Sequence, residues 1–395
     1  MALPGVQIKT VNGGLGQLVQ TDDALTGLIL QGPAASGLAL GVPTLLTSLE
    51  DAKAIGITEQ YDTDNTVRVY KHIREFYAEA GLGAKLWIIL ISQAVSMTDM
   101  ADKANAQYAK VLLNAADGNI RMLGITRSPA NGYTATITTE IDADVLTAVD
   151  NAHELAQEYA EMYKPFRVVV EGFGYTGTAG TLADLKQKTA SRVSVMLGDS
   201  SSGSGAAIGV LLGRLANVPV MRNPGRVKDG ALSIQNAYLA SETLRQAEGD
   251  VEVIHDKGFI TLRRHIRKSG YYFTSDPTAT ASTDDYNSFA RGRVIDKVVV
   301  IAYATFVNEI LDEVEIDENG RIETVKAKYY QSIIENAVNN SMTVSGEISL
   351  FEAQIDVDQN VLSTGKICIE GRITPVGYAT QIVFELGLTN PAINQ

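Results

Sequence analysis

Residues 258–274 read GFITLRRHIRKSGYYFT, and this stretch predicts a β-hairpin with one apolar and one basic face. Side chains along a strand point alternately to opposite faces of a sheet. Three apolar side chains of the first strand therefore share one face: Ile260, Leu262 and Ile266. Three basic side chains share the other: Arg263, His265 and Arg267. A Lys-Ser-Gly turn leads into the returning strand, and Pro277 stops that strand because proline cannot donate to a ladder.

The segment after this hairpin predicts a long helix that is buried on more than one side. Between Tyr286 and Leu311, apolar residues recur at helical spacing along two neighbouring stripes. One stripe contains Val294, Val298 and Ile301, and the other contains Ile295, Val299, Phe306 and Ile310. The strongly apolar run at 298–307 is about half of the roughly 20 residues that a membrane-spanning helix needs. We therefore expect a core helix beneath a sheet and no insertion into a membrane.

Upstream of the hairpin, apolar strands alternate with helices. The predicted strands are short and continuously apolar: 28–30, 86–91, 120–126, 166–170 and 193–197. The predicted helices between them carry apolar stripes: 69–80, 99–116 and 144–163. Continuous apolar strands are typical of a parallel sheet that helices cover on both faces. We therefore predict a mainly parallel α/β region.

The last part of the chain changes to an alternating pattern. Apolar and polar residues alternate cleanly in three segments: 349–357, 366–373 and 381–386. Such alternation is typical of antiparallel strands with one solvated face, so we predict an α+β arrangement here. The predicted fold class is α/β plus α+β, with extended arms at both termini.

The length of 395 residues is too great for one ordinary core, and we predict three parts. Residues 1–20 carry too little apolar mass for a core and are predicted to form an extended N-terminal arm. Residues 21–255 form the α/β region, with a candidate break between two subdomains near 128–142. Residues 256–395 form a C-terminal α+β domain that ends in a second arm.

The composition narrows the classes of partner. The net charge of −13 argues against a sequence-independent grip on nucleic acid, which requires an excess of Lys and Arg. Residues 1–6 lack the basic and apolar regions of a secretory signal, so we expect no signal cleavage. The single cysteine, Cys368, excludes an internal disulfide, and its place in a predicted strand indicates a core or half-buried side chain.

The best candidate for a ligand site is the strand, small-residue turn and helix start at 195–209. Free N–H groups and the positive end of a helix can bind a phosphate at such a junction. However, no lysine follows as in a phosphate-binding loop, and Gly203, Gly205 and Gly209 miss the dinucleotide spacing by one residue. Nucleotide binding and an ordinary tight turn both remain open, and we favour the tight turn.

Other catalytic or metal-binding patterns are absent from the sequence. The four histidines have no partner at metal-ligand spacing, and His72 and His153 are predicted on solvated helix faces. Asp199 beside Ser200 would pair an acid with a nucleophile, but no base lies nearby in the sequence. We therefore expect no enzymatic activity, no cofactor and no metal.

Segments spread over most of the chain carry a family resemblance. They are LTGLILQGP at 25–33, GVPTLLTSLED at 41–51, HIREFYAEAG at 72–81, KLWIIL at 85–90, LGRLANVPV at 212–220, RNPGR at 222–226 and ARGRVI at 290–295. In content and order they resemble the sheath proteins of contractile phage tails and related injection machines.

The resemblance implies a structural subunit rather than an enzyme. Such subunits polymerise helically around an inner tail tube and contract to drive the tube through the envelope of a target cell. The implied partners are further copies of the chain in hexameric rings, the inner tail tube protein, and baseplate and tail terminator proteins. The implied location is a virion tail or an injection-device sheath that is assembled in the bacterial host cytoplasm, without direct contact to nucleic acid.

The resemblance also implies roles for particular residues. Terminal arms of such sheaths add strands to the sheets of neighbouring subunits, a mode called β-augmentation. The arm candidates are Val6, Ile8, Val11, Ile382, Phe384 and Leu386. Positive charge on helices of an acidic chain suggests a surface that faces an acidic tube: Arg291, Arg293, Lys297, Lys326 and Lys328. A merely solvated basic face explains these five residues equally well.

Two other classes of function remain open at this point. One is a nucleotide-binding α/β enzyme that uses the glycine-rich turn at 198–209. The other is a baseplate or adhesion module that has a sheath-like fold but does not polymerise.

Overall fold

The computed structural model of the protein describes residues 22–388. The N-terminal arm predicted at 1–20, with Val6, Ile8 and Val11, lies outside the described residues. The strands follow in chain order: β1 (Thr26–Gln31), β2 (Thr44–Leu46), β3 (Leu86–Ile91), β4 (Met122–Ile125), β5 (Ile137–Thr138), β6 (Ile141–Asp142), β7 (Arg167–Glu171), β8 (Thr189–Ala190), β9 (Val193–Met196), β10 (Tyr238–Leu239), β11 (Glu242–Thr243), β12 (Leu262–Arg263), β13 (Tyr272–Phe273), β14 (Ala279–Thr280), β15 (Ile348–Ile355) and β16 (Ile369–Pro375). The α-helices are α1 (Leu49–Ala54), α2 (Glu59–Asn65), α3 (Val69–Ala80), α4 (Met97–Ala101), α5 (Ala109–Ala115), α6 (Ala143–Glu161), α7 (Ile208–Asn217), α8 (Asp250–Asp256), α9 (Phe289–Phe306), α10 (Thr324–Val338) and α11 (Val361–Thr364).

A six-stranded sheet with the order β2-β3-β1-β4-β7-β9 forms the centre of the α/β region. Its neighbouring strands are parallel except for β2, which runs antiparallel to β3 at one edge. Leu28 of β1 lies opposite Ile88 of β3 and Gly124 of β4, and every residue of β1 is buried. The prediction of a mainly parallel sheet is therefore confirmed, and its continuously apolar strands reflect burial on both faces.

Helices cover both faces of this sheet. A Cβ at Gly27 would meet Leu112 of α5, whereas a Cβ at Gly124 would meet Leu212 of α7. Gly27 pairs with Leu123, the residue before Gly124. Because consecutive side chains on a strand point to opposite faces, α5 and α7 lie on opposite sides of the sheet.

The helices α3 and α7 pack so closely that two positions of α7 require glycine. A Cβ at Gly209 would lie 2.1 Å from the backbone oxygen of His72, and one at Gly213 would lie 2.4 Å from that of Phe76. Residues four apart lie on the same face of a helix, so both glycines meet the same neighbour. Gly209 is one of the three glycines whose spacing nearly matches a dinucleotide motif. In the structure, this glycine allows α7 to pack closely against α3.

The hairpin at 258–274 is shorter than the sequence predicts. β12 and β13 pair over two residues each. Ile260 and Leu262 are buried as predicted, but Ile266 is 93% exposed. The ladder ends at Arg263 and the chain turns around Arg267, whose φ is +64°, which leaves Ile266 in the loop. The prediction of one long strand up to Ile266 is therefore wrong.

A second core lies between α9, α10 and the hairpin of β15 and β16. Its buried residues are Val220, Val294, Ile301, Ile334, Ala337, Val338, Met342, Ile348, Phe351 and Ala353. The helix α9 falls within the range predicted for it, and Ser288 caps it by accepting a hydrogen bond from the N–H of Arg291.

The first core continues beyond residue 256, where the sequence predicts the C-terminal domain to begin. Phe259, Leu262, Phe273 and Phe289 all belong to this first core. These side chains pack there because the hairpin is joined to the sheet, through a bridge from Ile260 to the edge strand β9. The first and second cores therefore meet at α9, and the division of the chain into domains stays a prediction.

Three local predictions differ from the structure. The helix predicted at 99–116 is interrupted after α4, because the side chain of Asp102 accepts the N–H of Ala104 in a turn. Within the described residues, no strand forms at 381–386, and the alternating pattern is realised only by β15 and β16. Cys368 is exposed rather than half-buried, because it lies just before β16 begins.

Candidate assembly surfaces and the polar edge of the sheet

Buried and partly buried charges occupy the carboxyl edge of the parallel strands, where open α/β sheets usually bind ligands. We call this cluster the polar edge, and its members are Arg68, Lys71, Glu75, Arg127, Glu171 and Asp199. A cavity of 460 Å³ opens beside it and is lined by Arg68, Arg127, Asp199 and the turn at 201–205. The arrangement of these charges decides whether the glycine-rich turn is free to bind a phosphate.

Glu171 lies at the end of β7 and is fully buried. Its carboxylate accepts the N–H of Ala206, just before α7, at 2.8 Å and the N–H of Arg127 at 2.6 Å. Arg68 pairs with it at 2.7 Å. Burial raises the pKa of Glu171, although the charge of Arg68 and the two N–H donors oppose that rise.

The chain therefore supplies its own anion at the place where a bound phosphate would lie. A Cβ at Gly205 would come within 1.4 Å of the Arg68 guanidinium, so that side chain fills the turn. A phosphate that binds the N–H of Ala206 would have to displace the Glu171 carboxylate. The phosphate would also lose the hydration of its own charge. This geometry favours the tight-turn interpretation of 195–209 over nucleotide binding.

Asp199 is held by cations rather than poised for acid–base chemistry. Its carboxylate lies 2.5 Å from Lys71 and 3.5 Å from Arg68. Burial alone would raise its pKa, but the charges of Lys71 and Arg68 outweigh burial and lower the pKa of Asp199 to about 2. The hydroxyl of Ser200 donates to Glu75, which also pairs with Lys71. The pair of Asp199 and Ser200 is thus part of an ion-pair network.

The histidines are not assembled into a site. Among residues 22–388, no group of His, Cys, Asp and Glu side chains could hold a metal ion. His72 is fully buried and neither ring nitrogen has a hydrogen-bond partner, so its predicted place on a solvated face is wrong. Burial, with Lys71 and Arg68 nearby, lowers its pKa well below the usual value. His153 is half-buried and accepts the N–H of Arg192 at 3.4 Å.

The C-terminal arm candidates are exposed apolar side chains. Ile382 is 85% exposed, Phe384 80% and Leu386 84%. The segment 376–388 that carries them has no regular secondary structure. Contiguous exposed apolar side chains on a soluble chain indicate a surface that another molecule covers.

The hairpin of β15 and β16 offers edges to which such a segment could add. These two strands form a sheet of their own, so within the described chain each has one neighbour and one free edge. A free edge presents unpaired N–H and C=O groups that can pair with another strand. Phe351 and Ala353 hold one face of this sheet against α10, which fixes the orientation of the free edges.

The tube-facing candidates occupy three different environments. Arg291 and Lys328 are exposed, and among the described residues their side chains donate only to the neutral side chains of Asn287 and Gln331. Lys326 pairs with Asp312 at 3.1 Å and lies over the ring of Tyr329 at 5.1 Å.

Arg293 and Lys297 lie inside the molecule. Arg293 is 4% exposed, and burial lowers its pKa to about 10. Lys297 pairs with Asp23 at 2.7 Å and with Glu347 at 2.8 Å. Residues 293 and 297 share one face of α9, and this face meets the start of the described chain rather than solvent.

Two further arginines, which sequence reasoning missed, join the first core to α9. Asp296 of α9 pairs with Arg167 and with Arg192, at 2.9 Å each. Gly292 makes room for this pairing, because a Cβ there would lie 1.6 Å from the Arg167 guanidinium carbon. No spacing in the sequence signals the contact, since its members come from three separate elements.

The fold as a whole is that of sheath proteins from contractile injection systems. A chain of the anti-feeding prophage (AFP) baseplate, 6-fold symmetrised, matches with a TM-score of 0.64 and 12% identity, over 99% of this chain and 100% of that one. The AFP helical sheath in its contracted state matches with a TM-score of 0.60 and 14% identity, over 98% and 100%. The PVC sheath complex of an extracellular contractile injection system, also contracted, matches with a TM-score of 0.58 and 14% identity, over 100% and 99%. The resemblance found in the sequence is thereby confirmed at the level of the fold.

The chain belongs to the DUF2586 family. Residues 3–276 match the N-terminal domain of that family, and residues 285–393 match its C-terminal domain. No curated protein sequence matches the chain. Among the described residues, no helix is both long enough and apolar enough to cross a membrane.

Proposed function

We propose that this protein is the subunit of a contractile sheath. Copies of the chain, arranged in hexameric rings, polymerise helically around an inner tail tube and contract to drive the tube through a target envelope. The observation that carries this proposal is the match of 98% of this chain to a helical sheath. The internally paired polar edge adds support, because Glu171 and Arg68 already occupy the N–H donor of Ala206 and the space at Gly205 beside the glycine-rich turn.

The subunits are linked by their terminal arms. The segment with Ile382, Phe384 and Leu386 adds to a free edge of the hairpin of β15 and β16 in a neighbouring copy, and the N-terminal arm with Val6, Ile8 and Val11 adds to another. Main-chain hydrogen bonds then join copies that can still rotate against one another. The strong exposure of the apolar C-terminal side chains supports this role.

The surface that faces the tube centres on Arg291 and Lys328. Both side chains are exposed on helices of the C-terminal unit and lack a carboxylate partner among residues 22–388. The partly exposed side chain of Lys326 adds positive charge to this surface. Arg293 and Lys297 instead make contacts inside the subunit. Tube, baseplate and tail terminator proteins complete the set of partners, in a virion tail or injection device assembled in the bacterial cytoplasm.

Replacing the apolar arm side chains tests this function. In the variant I382D/F384D/L386D, the arm can no longer bury its apolar face, so purified protein should form no striated tubes in negative-stain electron microscopy. The control V325D changes a side chain that is 77% exposed on α10 and should leave tubes intact. Normal tubes from the triple variant would contradict the role of the arm.

A baseplate component is the second candidate. It rests on one observation, the TM-score of 0.64 with a chain of the AFP baseplate. Such a component would form rings but no long tubes, so the wild-type protein in the same micrographs separates the two candidates.

A further inference from the structure

The loop of the central hairpin carries the densest exposed positive charge in the described chain. We call residues 263–268 the basic tip, and its cationic side chains are Arg263, Arg264, Arg267 and Lys268. All four are exposed, and none forms an ion pair with any residue between 22 and 388. Ile266 lies among them and is 93% exposed. The tip thus combines one apolar side chain with a surrounding group of free cations.

This arrangement is costly within a single subunit. Four like charges in a short loop repel one another. The exposed side chain of Ile266 also forgoes the favourable free energy of burying apolar surface. Elsewhere cations of the same chain find carboxylates: Lys188 pairs with Asp150, and Lys110 with Glu158. A partner with negative charge beside an apolar surface would relieve both costs at the tip.

The same chain contains a surface of that kind between α9 and α10. We call residues 309–318 the acidic tract. Three of its carboxylates are exposed and unpaired within the described residues: Glu313, Glu315 and Glu318. Beside them, Leu311 is 98% exposed and Ile310 is 65% exposed. Leu311 also has a φ of +65°, an uncommon backbone conformation for a residue with a bulky side chain.

The two surfaces belong to different parts of the molecule. The basic tip extends from the first core, through the hairpin that bridges to β9. The acidic tract follows α9, and its neighbouring contacts are with α10, such as that from Lys326 to Asp312. Within residues 22–388 no ion pair joins the tip to the tract. Two complementary surfaces that do not meet within one subunit are what a head-to-tail contact between subunits requires.

We propose that the basic tip of one subunit docks onto the acidic tract of a second copy of this chain. Ile266 packs against Leu311 and Ile310, and the tip cations face Glu313, Glu315 and Glu318. Opposite charges steer the approach, and the apolar contact at the centre excludes water. The inference rests on the proposed function only in that copies of the chain lie side by side.

Cysteine cross-linking tests the contact directly. In a C368S background, subunits with I266C are mixed with subunits with L311C, assembled and oxidised. A disulfide forms only where the Cα atoms come within about 7 Å, so the contact predicts dimers that contain one subunit of each kind. A mixture of I266C with V325C is the control and should stay monomeric. Absence of mixed dimers, or dimers of I266C with itself, would overturn the proposal.

Charge reversal tests the same contact by function. The tip variant R263E/R264E/R267E/K268E and the tract variant E313K/E315K/E318K should each slow assembly at low salt by more than tenfold. The variant that combines both reversals should recover most of the wild-type rate, because the charges are again opposite. Failure of the combined variant to recover would contradict the pairing of the tip with the tract.

The two proposals fail in distinguishable ways. If wild-type tubes form and both reversals assemble normally, the tip contact is wrong while the sheath function stands. If the wild-type chain forms no tubes, the sheath function fails, and the mixed cysteine experiment at high protein concentration still decides the contact. All substituted tip and tract side chains are exposed, so thermal unfolding of each variant should match the wild type.

Discussion

His72 lies where α3 meets α7, with neither ring nitrogen hydrogen-bonded. Its burial and its cationic neighbours Lys71 and Arg68 keep the imidazole neutral in the folded chain. The spacing of apolar residues on α3 did not reveal this, because histidine occurs on both faces of helices and the partner helix comes more than a hundred residues later. Glu171 and Arg68 are also far apart in the sequence, so their pairing could not be predicted from it.

The state of His72 predicts a loss of stability in mild acid. The pKa of His72 is lowered in the folded state, so its neutral form stabilises the fold above the unfolded pKa near 6.5, and stability is lost as the pH falls below that value. From pH 7.5 to pH 5.5, protonation of this group in the unfolded chain should destabilise the wild type by on the order of 1 kcal/mol.

The substitution H72L removes the titrating group at this buried position. Urea unfolding at both pH values should therefore show a smaller pH dependence for H72L than for the wild type, by about that amount. An identical pH dependence for the two proteins would mean that His72 is not held neutral in the fold.

At the scale of elements, the parallel strands and the main helices could be predicted because the spacing of apolar residues within each segment indicates which of its faces is buried. Val168, Val169 and Val170 read as a buried strand in any context. What the sequence could not provide were the contacts between elements, such as Asp296 with Arg167 and the approach of α7 to α3. The hairpin predicted from the sequence is too long, because the alternation of apolar and basic residues continues past Arg263 whereas the strand pairing ends there.

Helix packing predicts a sharp cost for one methyl group. In G209A, the Cβ would overlap the backbone oxygen of His72, which cannot move without displacing α3. We expect a loss of about 1–3 kcal/mol in the free energy of unfolding, typical of an overpacked core. In G180A, no atom lies within 4 Å of the new Cβ, so stability should change by less than about 0.5 kcal/mol. Equal stability of the two variants in urea unfolding would contradict the close contact.

At the scale of the whole molecule, four exposed surfaces have groups without a partner in residues 22–388. The C-terminal segment, the basic tip and the acidic tract expose apolar or charged side chains, and the free edges of β15 and β16 expose unpaired backbone groups. In the proposed sheath, neighbouring copies would cover all four. The sheath-like class was accessible from the sequence through the resemblance, but the location of these surfaces required the fold.

A helical reconstruction by cryo-electron microscopy of tubes formed by the 395-residue chain would show directly whether the arms join neighbouring copies. In these tubes, residues 381–386 should form a strand against β15 or β16 of a neighbouring subunit. A tube in which that hairpin keeps only its own two strands, or a protein that stays dispersed at every concentration, would contradict it.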